Sequence, residues 1–241
     1  MRTITFIRHG QSNANAGGVT QENHAIQLTA LGLHQAEQIA RLLPAHVPEI
    51  LVSPFERTRA TARPYCERTG KTPRIVQHLH EFDTIDPDLL QGMNGEERRP
   101  VVDRYWAESD PNQRMGKRAE TFLEFAARVE QFRMHDLPLL PNGTLVFGHG
   151  MWIALLIWRL LGFSARDHAA MQAFRRFQLG LPMPNAAVYH VDELLPQRWQ
   201  VSVNEPFMRA MAGLPAESGN DARKDHGLLK PSSIQPPGFP P

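Results

Sequence analysis

The sequence predicts an α/β fold, a three-layer sandwich with a central, mostly parallel sheet and helices on both faces. Strand-like and helix-like segments alternate along the chain, which is typical of layered α/β domains. Two strand-like segments, residues 3–7 and 144–147, lead into a histidine followed by glycine, at His9 and His149. A chain of 241 residues is long enough to bury a sizeable core in one domain.

The first elements are a strand and an amphipathic helix. Residues 3–7 are rich in β-branched and aromatic side chains, as in a strand. Apolar side chains then recur at the spacing of one helix face, namely Ala36, Ile39, Ala40 and Leu43. The pattern predicts a helix over residues 31–43 that stops at Pro44, and a short buried strand follows at residues 49–52.

A capping box predicts the start of the next helix. Ser53 is a favourable N-cap residue, Pro54 suits the first helical position, and Glu56 follows the cap by three residues. Pro64 lacks a backbone N–H, so we expect it to end or kink this helix about three turns in.

The second half of the chain contains two further helices and a hairpin. One amphipathic helix is predicted from Phe122, Phe125, Ala126, Val129 and Phe132. A second follows the strand at residues 144–147 and is lined by Ile153, Leu156, Ile157 and Leu160. Residues 186–191 and 199–203 are expected to form a terminal antiparallel hairpin.

Composition divides the chain into a folded domain, residues 1–206, and a tail, residues 207–241. The tail is rich in proline, glycine and polar residues, and we expect it to be disordered. A formal charge of +1 gives no reason to expect nucleic-acid binding. We expect neither a signal peptide nor a membrane span, and the single cysteine, Cys66, cannot form an internal disulfide. These features favour a cytoplasmic protein.

The two histidines and two arginines suggest one anion site. Ligands of open α/β sheets bind outside the carboxyl ends of strands, where the N–H groups of a following helix favour a phosphate. His9 and His149 both follow strands, so we expect them to face each other there. Arg8 precedes the first histidine, and Arg57 lies in the first turns of the capped helix. Two guanidinium groups beside two imidazoles suit a dianionic phosphoryl group.

Several ordered motifs resemble those of the histidine phosphatase superfamily, which includes cofactor-dependent phosphoglycerate mutases and many phosphatases. They are Arg8-His9-Gly10-Gln11-Ser12 with Asn15, Ser53-Pro54-Phe55-Glu56-Arg57-Thr58-Arg59-Ala60-Thr61-Ala62, Glu81, and Gly148-His149-Gly150. The resemblance extends over residues 1–203 and includes Leu28-Thr29-Ala30-Leu31-Gly32. An isolated Arg-His-Gly is a weak signal, whereas the ordered set is specific. The resemblance implies a catalytic domain over residues 1–206 that needs no metal and no other cofactor.

The resemblance also implies a role for each site residue. His9 would be the nucleophile that forms a phosphohistidine, in two steps that are each easier than direct hydrolysis. The phosphoryl oxygens would be bound by Arg8, Asn15, Arg57, His149 and Gly150. Glu81 would be the general acid for the leaving oxygen and then the base for water. Asp83 and Asp86 lie close to Glu81 in the sequence and are alternatives for that role.

The segment at residues 82–118 lies where the family places a variable cap over the site. A helix is expected to begin at Asn94 and run to Trp106, with a break at Pro100. The segment carries more acidic than basic residues, so it offers no strongly basic trap for polyphosphates. His78 and His80 could place two metal ligands on one strand face, but no cysteine or carboxylate at a familiar zinc spacing supports this, so a surface or pocket-rim role is favoured.

The resemblance leaves three functions open. A phosphatase acting on a small phosphorylated substrate is favoured, because the Gly-Leu-Asn-Lys run typical of the mutases is replaced here by residues 92–95. Phosphoglycerate mutase-type phosphoryl transfer is the first alternative. A weakly active scaffold that binds phosphorylated ligands or phosphoproteins is the second. No nucleic-acid or membrane partner is expected, and the sequence does not indicate an oligomeric state.

Overall fold

The computed structural model describes residues 1–205, 207 and 208, and these form one six-stranded sheet with helices on both faces. The strands are β1 (Arg2–Arg8), β2 (Ile50–Val52), β3 (Arg74–Ile75), β4 (Leu145–Gly148), β5 (Val188–Leu195) and β6 (Arg198–Val203). Their order across the sheet is β3-β2-β4-β1-β5-β6. The first four strands are parallel, and β5 and β6 add an antiparallel edge. The expected mostly parallel α/β sheet and the terminal hairpin are confirmed.

Alternate residues of β1 place the core on both faces of the sheet. The helices are α1 (Ala30–Leu42), α2 (Glu56–Thr69), α3 (Gly95–Glu108), α4 (Phe122–Gln131), α5 (Gly150–Leu160) and α6 (His168–Gly180). Ile4 and Phe6 pack in a cluster with residues of α4, α5 and α6, whereas Ile7 packs with residues of α1 and α2. Successive strand side chains point to opposite faces, so one buried strand supports both helical layers. The expected three-layer arrangement is confirmed.

The start of α2 differs from the predicted capping box. The helix begins at Glu56, with Phe55 at the N-cap position and no side-chain cap. The Ser53 hydroxyl instead accepts from the Phe55 N–H at 3.3 Å and hydrogen-bonds to a side chain across the sheet edge. The helix also continues past Pro64 to Thr69, so the expected end at that residue is wrong. Tyr65 and Ala62 are buried against the α1 layer, and this packing outweighs the hydrogen bond that proline removes.

The expected break of α3 at Pro100 is also wrong. Asn94 and Glu97 form a complete capping box at the start of the helix, which runs uninterrupted to Glu108. Tyr105 and Trp106, in the last turn and a half, are buried in the core. The capping box stabilises the start of the helix, and the burial of these two side chains stabilises its end. Pro100 lies between them and is exposed, so the helix continues through it.

The carboxyl ends of β1, β2 and β4 meet at one edge of the sheet. Arg8 is paired with Gly148, and the His9 N–H donates to the Gly148 carbonyl at 3.0 Å. The Ser53 N–H, which follows β2, donates to the Phe147 carbonyl at 3.1 Å. The residues that follow these three strands are therefore brought to one place, as the parallel topology requires.

The 82–118 segment packs against the loop after β1. The Gly95 N–H donates to the Gly17 carbonyl at 3.0 Å, and the Thr20 N–H donates to the Met93 carbonyl at 2.9 Å. The Arg98 guanidinium donates to the Gly18 carbonyl at 2.8 Å. These contacts join the two segments along the side of the sheet edge that carries His9.

The end of the chain is described only in part. Phe207 is buried against the cluster that contains Ile7, and the remainder of the predicted tail, residues 209–241, lies outside the described residues. Within the described part of the chain, no helix combines the length and the apolar character that a bilayer span requires.

Candidate active site

His9 has a neutral imidazole ring with a defined tautomer. Its Nδ1 lies 2.7 Å from the Gly10 carbonyl oxygen, and a carbonyl only accepts, so Nδ1 carries the proton. Nε2 then holds a lone pair, which accepts a hydrogen bond from Arg57 Nε at 3.2 Å. Burial holds the pKa of His9 well below its usual value, and the charges of Arg57 and Arg8 add to this effect. A neutral ring with an unprotonated Nε2 is the form that can attack phosphorus, once the Arg57 N–H donates to the phosphoryl group instead.

His149 faces His9 from the end of β4. The two ring centroids are 5.3 Å apart with an interplanar angle of 64°. The Ser53 hydroxyl lies 2.7 Å from His149 Nε2, whereas Nδ1 is buried and has no hydrogen-bond partner among the described residues. Burial, followed by the charge of Arg57, holds the pKa of His149 well below its usual value. The second imidazole is therefore also neutral in this arrangement.

Arg57 connects the first turn of α2 to the loop after β1. Its Nη1 donates to the Asn23 carbonyl at 2.6 Å, and its guanidinium lies 5.0 Å from the centre of the Phe55 ring. Burial lowers the pKa of Arg57 to about 10, an effect that Arg8 increases and Glu81 opposes. The side chain therefore remains a cation at neutral pH, next to the imidazole of His9.

Thr61 fixes the backbone on which this group depends. One turn after Arg57, its hydroxyl donates to the Arg57 carbonyl at 2.7 Å and accepts from the Gly10 N–H at 3.0 Å. The same side chain thus joins α2 to the residue that follows His9, and it sets the distance between the guanidinium and the imidazole.

Arg8 reaches the site beside the start of α5. Its Nη1 donates to the Met183 carbonyl, and its Nε is buried with no hydrogen-bond partner in the described part of the chain. A Cβ on Gly150 would lie 3.1 Å from that Nε, so glycine leaves room for the guanidinium to pass. Burial lowers the pKa of Arg8, and the charge of Glu81 opposes this effect.

The Glu81 carboxylate lies on the N-terminus of α5. Its Oε2 accepts from the Met151 N–H at 3.1 Å, and its Oε1 accepts from the Trp152 N–H at 3.1 Å and from the Phe82 N–H at 3.0 Å. The first N–H groups of a helix have no intrahelical partner and favour a negative charge. This interaction brings Glu81 next to Gly150, at the helix end that follows His149.

Comparisons with known proteins identify the family. The model of the histidine phosphatase superfamily (branch 1) matches residues 4–203. The chain belongs to this superfamily. An adenosylcobalamin/alpha-ribazole phosphatase of Escherichia coli K12 is 30% identical over 175 residues, which cover 71% of this chain and 84% of that protein. A probable phosphoglycerate mutase of Serratia proteamaculans is 28% identical over 175 residues, which cover 68% and 77%.

Solved structures show the same histidine phosphatase fold. A mycobacterial glucosyl-3-phosphoglycerate phosphatase complexed with VO3 matches with a TM-score of 0.66 and 24% identity, over 84% of this chain and 98% of that one. A phosphoserine phosphatase of Entamoeba histolytica, complexed with 3-phosphoglyceric acid, matches with a TM-score of 0.64 and 19% identity, over 85% and 97%. At these identities the likeness concerns the fold alone.

The two alternative carboxylates of this superfamily member have other partners. Asp83 Oδ1 accepts from Asn23 Nδ2 at 2.5 Å. The buried Asp86 accepts from the Arg118 N–H at 2.9 Å and from Arg118 Nε at 3.0 Å. Asp86 therefore stabilises the 82–118 segment, whereas Glu81 lies at the helix that follows His149.

The remaining predicted site residues lie at the edge of this cluster. Asn15 is in the loop after β1, where its side-chain oxygen accepts from the Ser12 hydroxyl at 2.9 Å, and none of its described hydrogen bonds reaches either imidazole. His80 Nδ1 lies 2.6 Å from the Gln77 carbonyl oxygen, on the rim near Phe55. The described residues contain no group of three or more His, Cys, Asp or Glu placed to bind a metal ion.

Three residues of the site were not predicted from the sequence. Ser53 was interpreted as a helix cap, although it directly follows β2 and so lies at the sheet edge that carries His149. Asn23 joins Arg57 to Asp83, and no sequence motif marks it. Arg128 of α4 contacts the backbone next to Glu81. In the sequence it is a charged residue between the apolar positions of a helix, which predicts only a solvent-exposed side chain.

Proposed function

We propose that this chain is a phosphatase that hydrolyses a phosphomonoester through a covalent phosphohistidine on His9, without a metal ion. The observation that carries the proposal is the lone pair on His9 Nε2. The contact of Nδ1 with the Gly10 carbonyl keeps the proton on Nδ1, and Arg57 Nε lies 3.2 Å from Nε2. Such a ring is a nucleophile that needs no proton removed before it attacks. His149 faces this ring at a centroid distance of 5.3 Å, and the charges of Arg57 and Arg8 act on it.

In the first step, the Arg57 Nε–H donates to a phosphoryl oxygen in place of His9 Nε2, and the released lone pair of Nε2 attacks phosphorus. A P–N bond forms, the P–O ester bond breaks, and its electron pair leaves with the oxygen, which takes the proton of the Glu81 carboxyl group. The N–H groups of Met151 and Trp152 stabilise the carboxylate that this transfer leaves. Arg8, Arg57 and His149 hold the phosphoryl oxygens, where charge must be stabilised during the transfer. Arg8 Nε and His149 Nδ1 support this role, because buried polar atoms without partners in the described structure are suited to an anion.

In the second step, the Glu81 carboxylate accepts a proton from water as the water oxygen attacks phosphorus. The P–N bond breaks, its electron pair returns to His9 Nε2, and inorganic phosphate is released. The Gly150 N–H at the start of α5 and the Asn15 amide would contact the same oxygens. Glu81 is favoured over Asp83 and Asp86 for both proton transfers, because it lies at the start of α5 beside Gly150, whereas Asp83 is bound to Asn23 and Asp86 to Arg118.

The substrate is proposed to be a small phosphorylated metabolite that enters beside residues 82–118. This segment acts as the cap of a catalytic domain formed by residues 1–206, since it packs on the loop that contains Asn15. The similarity to an alpha-ribazole phosphatase and to a probable phosphoglycerate mutase makes alcohol phosphates, such as alpha-ribazole phosphate and phosphoglycerates, the first compounds to test.

Trapping of the intermediate tests this proposal. Wild-type protein is mixed with a panel of labelled phosphomonoesters, with and without EDTA, and quenched within milliseconds. We expect label that is stable in base and lost in acid, and turnover that EDTA does not change. His9→Ala should lose both label and turnover, whereas replacement of the exposed His46 by alanine is the matched control and should retain both. Turnover that EDTA abolishes, or that His9→Ala retains, would contradict the mechanism.

Mutase-type phosphoryl transfer is the second candidate, and the similarity to a probable phosphoglycerate mutase is the observation that favours it. A mutase must protect the phosphohistidine from water until the substrate reorients. Interconversion of 2- and 3-phosphoglycerate that is stimulated by a bisphosphoglycerate primer, and that exceeds hydrolysis, would favour the mutase over the phosphatase.

A further inference from the structure

Arg128 contacts the segment that carries Glu81 from behind the site. From α4, its Nη1 donates to the His78 carbonyl at 2.8 Å and to the His80 carbonyl at 2.7 Å. Its Nη2 lies 3.5 Å from the Glu81 carbonyl oxygen. One guanidinium thus binds backbone carbonyls immediately before and at Glu81. Its five donors allow more simultaneous contacts than the three donors of an ammonium.

Glu120 completes this contact on the other side of Glu81. Arg128 Nε donates to Glu120 Oε2 at 3.3 Å, and Nη2 donates to Glu120 Oε1. That Oε1 accepts from the Asp83 N–H at 3.2 Å. The ion pair therefore binds the chain both before and after Glu81. Its two side chains are only 11% and 15% exposed, so the pair is shielded from solvent and its geometry is restrained.

The side chain of Glu81 is held from the opposite direction. The N–H groups of Met151 and Trp152 bind its carboxylate, while the Trp152 indole Nε1 donates to the His78 carbonyl at 2.7 Å. The backbone is thus fixed by α4 and the carboxylate by α5. Because proton transfer depends steeply on the distance and angle to the leaving oxygen, loss of the first restraint would move the carboxyl group relative to the bound phosphoryl group.

We propose that Arg128, together with Glu120, is the positioning residue of the Glu81 carboxyl group and controls proton delivery to the leaving oxygen. This inference rests on the proposed function. Arg128 has no described contact with His9, Arg8 or Arg57, so its loss leaves the nucleophile and these two phosphoryl contacts in place. Its charge also acts on His149, but only as the last of several causes that lower the pKa of that ring. Its loss affects substrates according to how much their leaving oxygen needs a proton.

Two substrates with different leaving groups test this inference. p-Nitrophenolate leaves without protonation, whereas the alkoxide of glycerol phosphate requires a proton. The measured quantity is kcat/KM, which covers the steps up to departure of the leaving group and excludes hydrolysis of the phosphohistidine. For Arg128→Met we expect a loss of about 100-fold with glycerol phosphate, the scale of general acid catalysis, and less than about 3-fold with p-nitrophenyl phosphate. Arg128→Lys should also lose more kcat/KM with glycerol phosphate than with p-nitrophenyl phosphate, but both losses should be smaller than for Arg128→Met.

Two further variants make the result decisive. Arg133→Met removes a comparable ion pair, with Glu130 at 2.7 Å, which does not touch the Glu81 segment, and it should leave the ratio of the two substrates unchanged. Glu81→Gln removes the acid itself, so its ratio of kcat/KM losses for the two substrates is the selectivity with which the Arg128 variants are compared. Equal losses on both substrates for Arg128→Met and Arg128→Lys, or no loss on either, would overturn the positioning role.

The controls also separate this inference from the proposed function. If Glu81→Gln is selective and the Arg128 variants are not, only the positioning role fails. If Glu81→Gln is not selective while wild-type protein still forms phosphohistidine, the acid assignment fails, and the positioning role fails with it. If wild-type protein forms no phosphohistidine, the proposed function fails.

Discussion

Replacement of Gly32 by alanine tests whether the packing of α1 against the loop after His9 sets the site geometry. A Cβ at this position would lie 2.0 Å from the Gln11 carbonyl oxygen, so the two segments must separate by about 1.4 Å to reach the 3.4 Å of ordinary contact. The three atoms nearest to this Cβ position are backbone atoms of Gln11, which cannot rotate away. Forced packing of this kind costs about 1–3 kcal/mol, against a gain of about 1 kcal/mol from the helix preference of alanine.

The effect on activity should exceed the effect on stability. Gln11 is two residues from His9, and a displacement of about 1 Å in a catalytic group can cost about 100-fold in rate. We expect Gly32→Ala to lower the free energy of unfolding by up to about 2 kcal/mol in urea titrations, and kcat/KM by about 10- to 100-fold. Gly180→Ala is the matched control, because nothing lies within 4 Å of its Cβ position in α6. If Gly32→Ala matched wild type in both measurements, the packing argument would be refuted.

Three other predictions concern the histidines and the carboxylates. The pKa values of His9 and His149 are lowered by burial and then by Arg57, so below pH ~6.5 the unfolded chain takes up protons that the folded chain does not. The free energy of unfolding, measured in urea titrations, should therefore be highest above pH ~6.5 and fall below it by at most about 1.4 kcal/mol per histidine per pH unit. A free energy of unfolding that does not change with pH would contradict this. Ser53→Ala removes the hydrogen bond to His149 and should lower kcat/KM for an alkyl phosphate about 10-fold; an unchanged value would show that the ring needs no hydroxyl partner. Asp86→Asn should lower the thermal midpoint of unfolding but reduce kcat/KM less than about 3-fold, whereas Glu81→Gln should reduce kcat/KM about 100-fold. A larger loss of kcat/KM for Asp86→Asn than for Glu81→Gln would assign the general acid role to Asp86.

The sheet and the placement of the two histidines could be predicted because local patterns determine them. Apolar β-branched runs predicted β1 and β4, and parallel strands bring their carboxyl ends to one edge. The meeting of His9 with His149 therefore follows from element order alone. The position of Arg57 near His9 follows in the same way, because the helix that starts after β2 begins at that edge.

The position of Glu81 could be suggested from the sequence only through the family resemblance. It follows a short 3₁₀ turn, Gln77–Leu79, rather than a strand, and no periodic pattern indicates which way such a segment runs. Its carboxylate is fixed by N–H groups of α5 and its backbone by Arg128 of α4, which lie 70 and 47 residues further along the chain, respectively. Contacts of that kind depend on tertiary packing, which single-sequence patterns do not encode.

The wrong capping box at Ser53 shows where a local rule and the site compete. A serine hydroxyl at this position could accept from the first turn of α2, which would stabilise the helix by about 1 kcal/mol. Instead it accepts from the Phe55 N–H and contacts His149 Nε2, and α2 begins without a side-chain cap. The Thr58 hydroxyl donates to the Ser53 and Phe55 carbonyls and so stabilises the turn by another route. Natural sequences break local rules most often where function requires it, and the lost cap therefore supports a functional rather than a structural role for this serine.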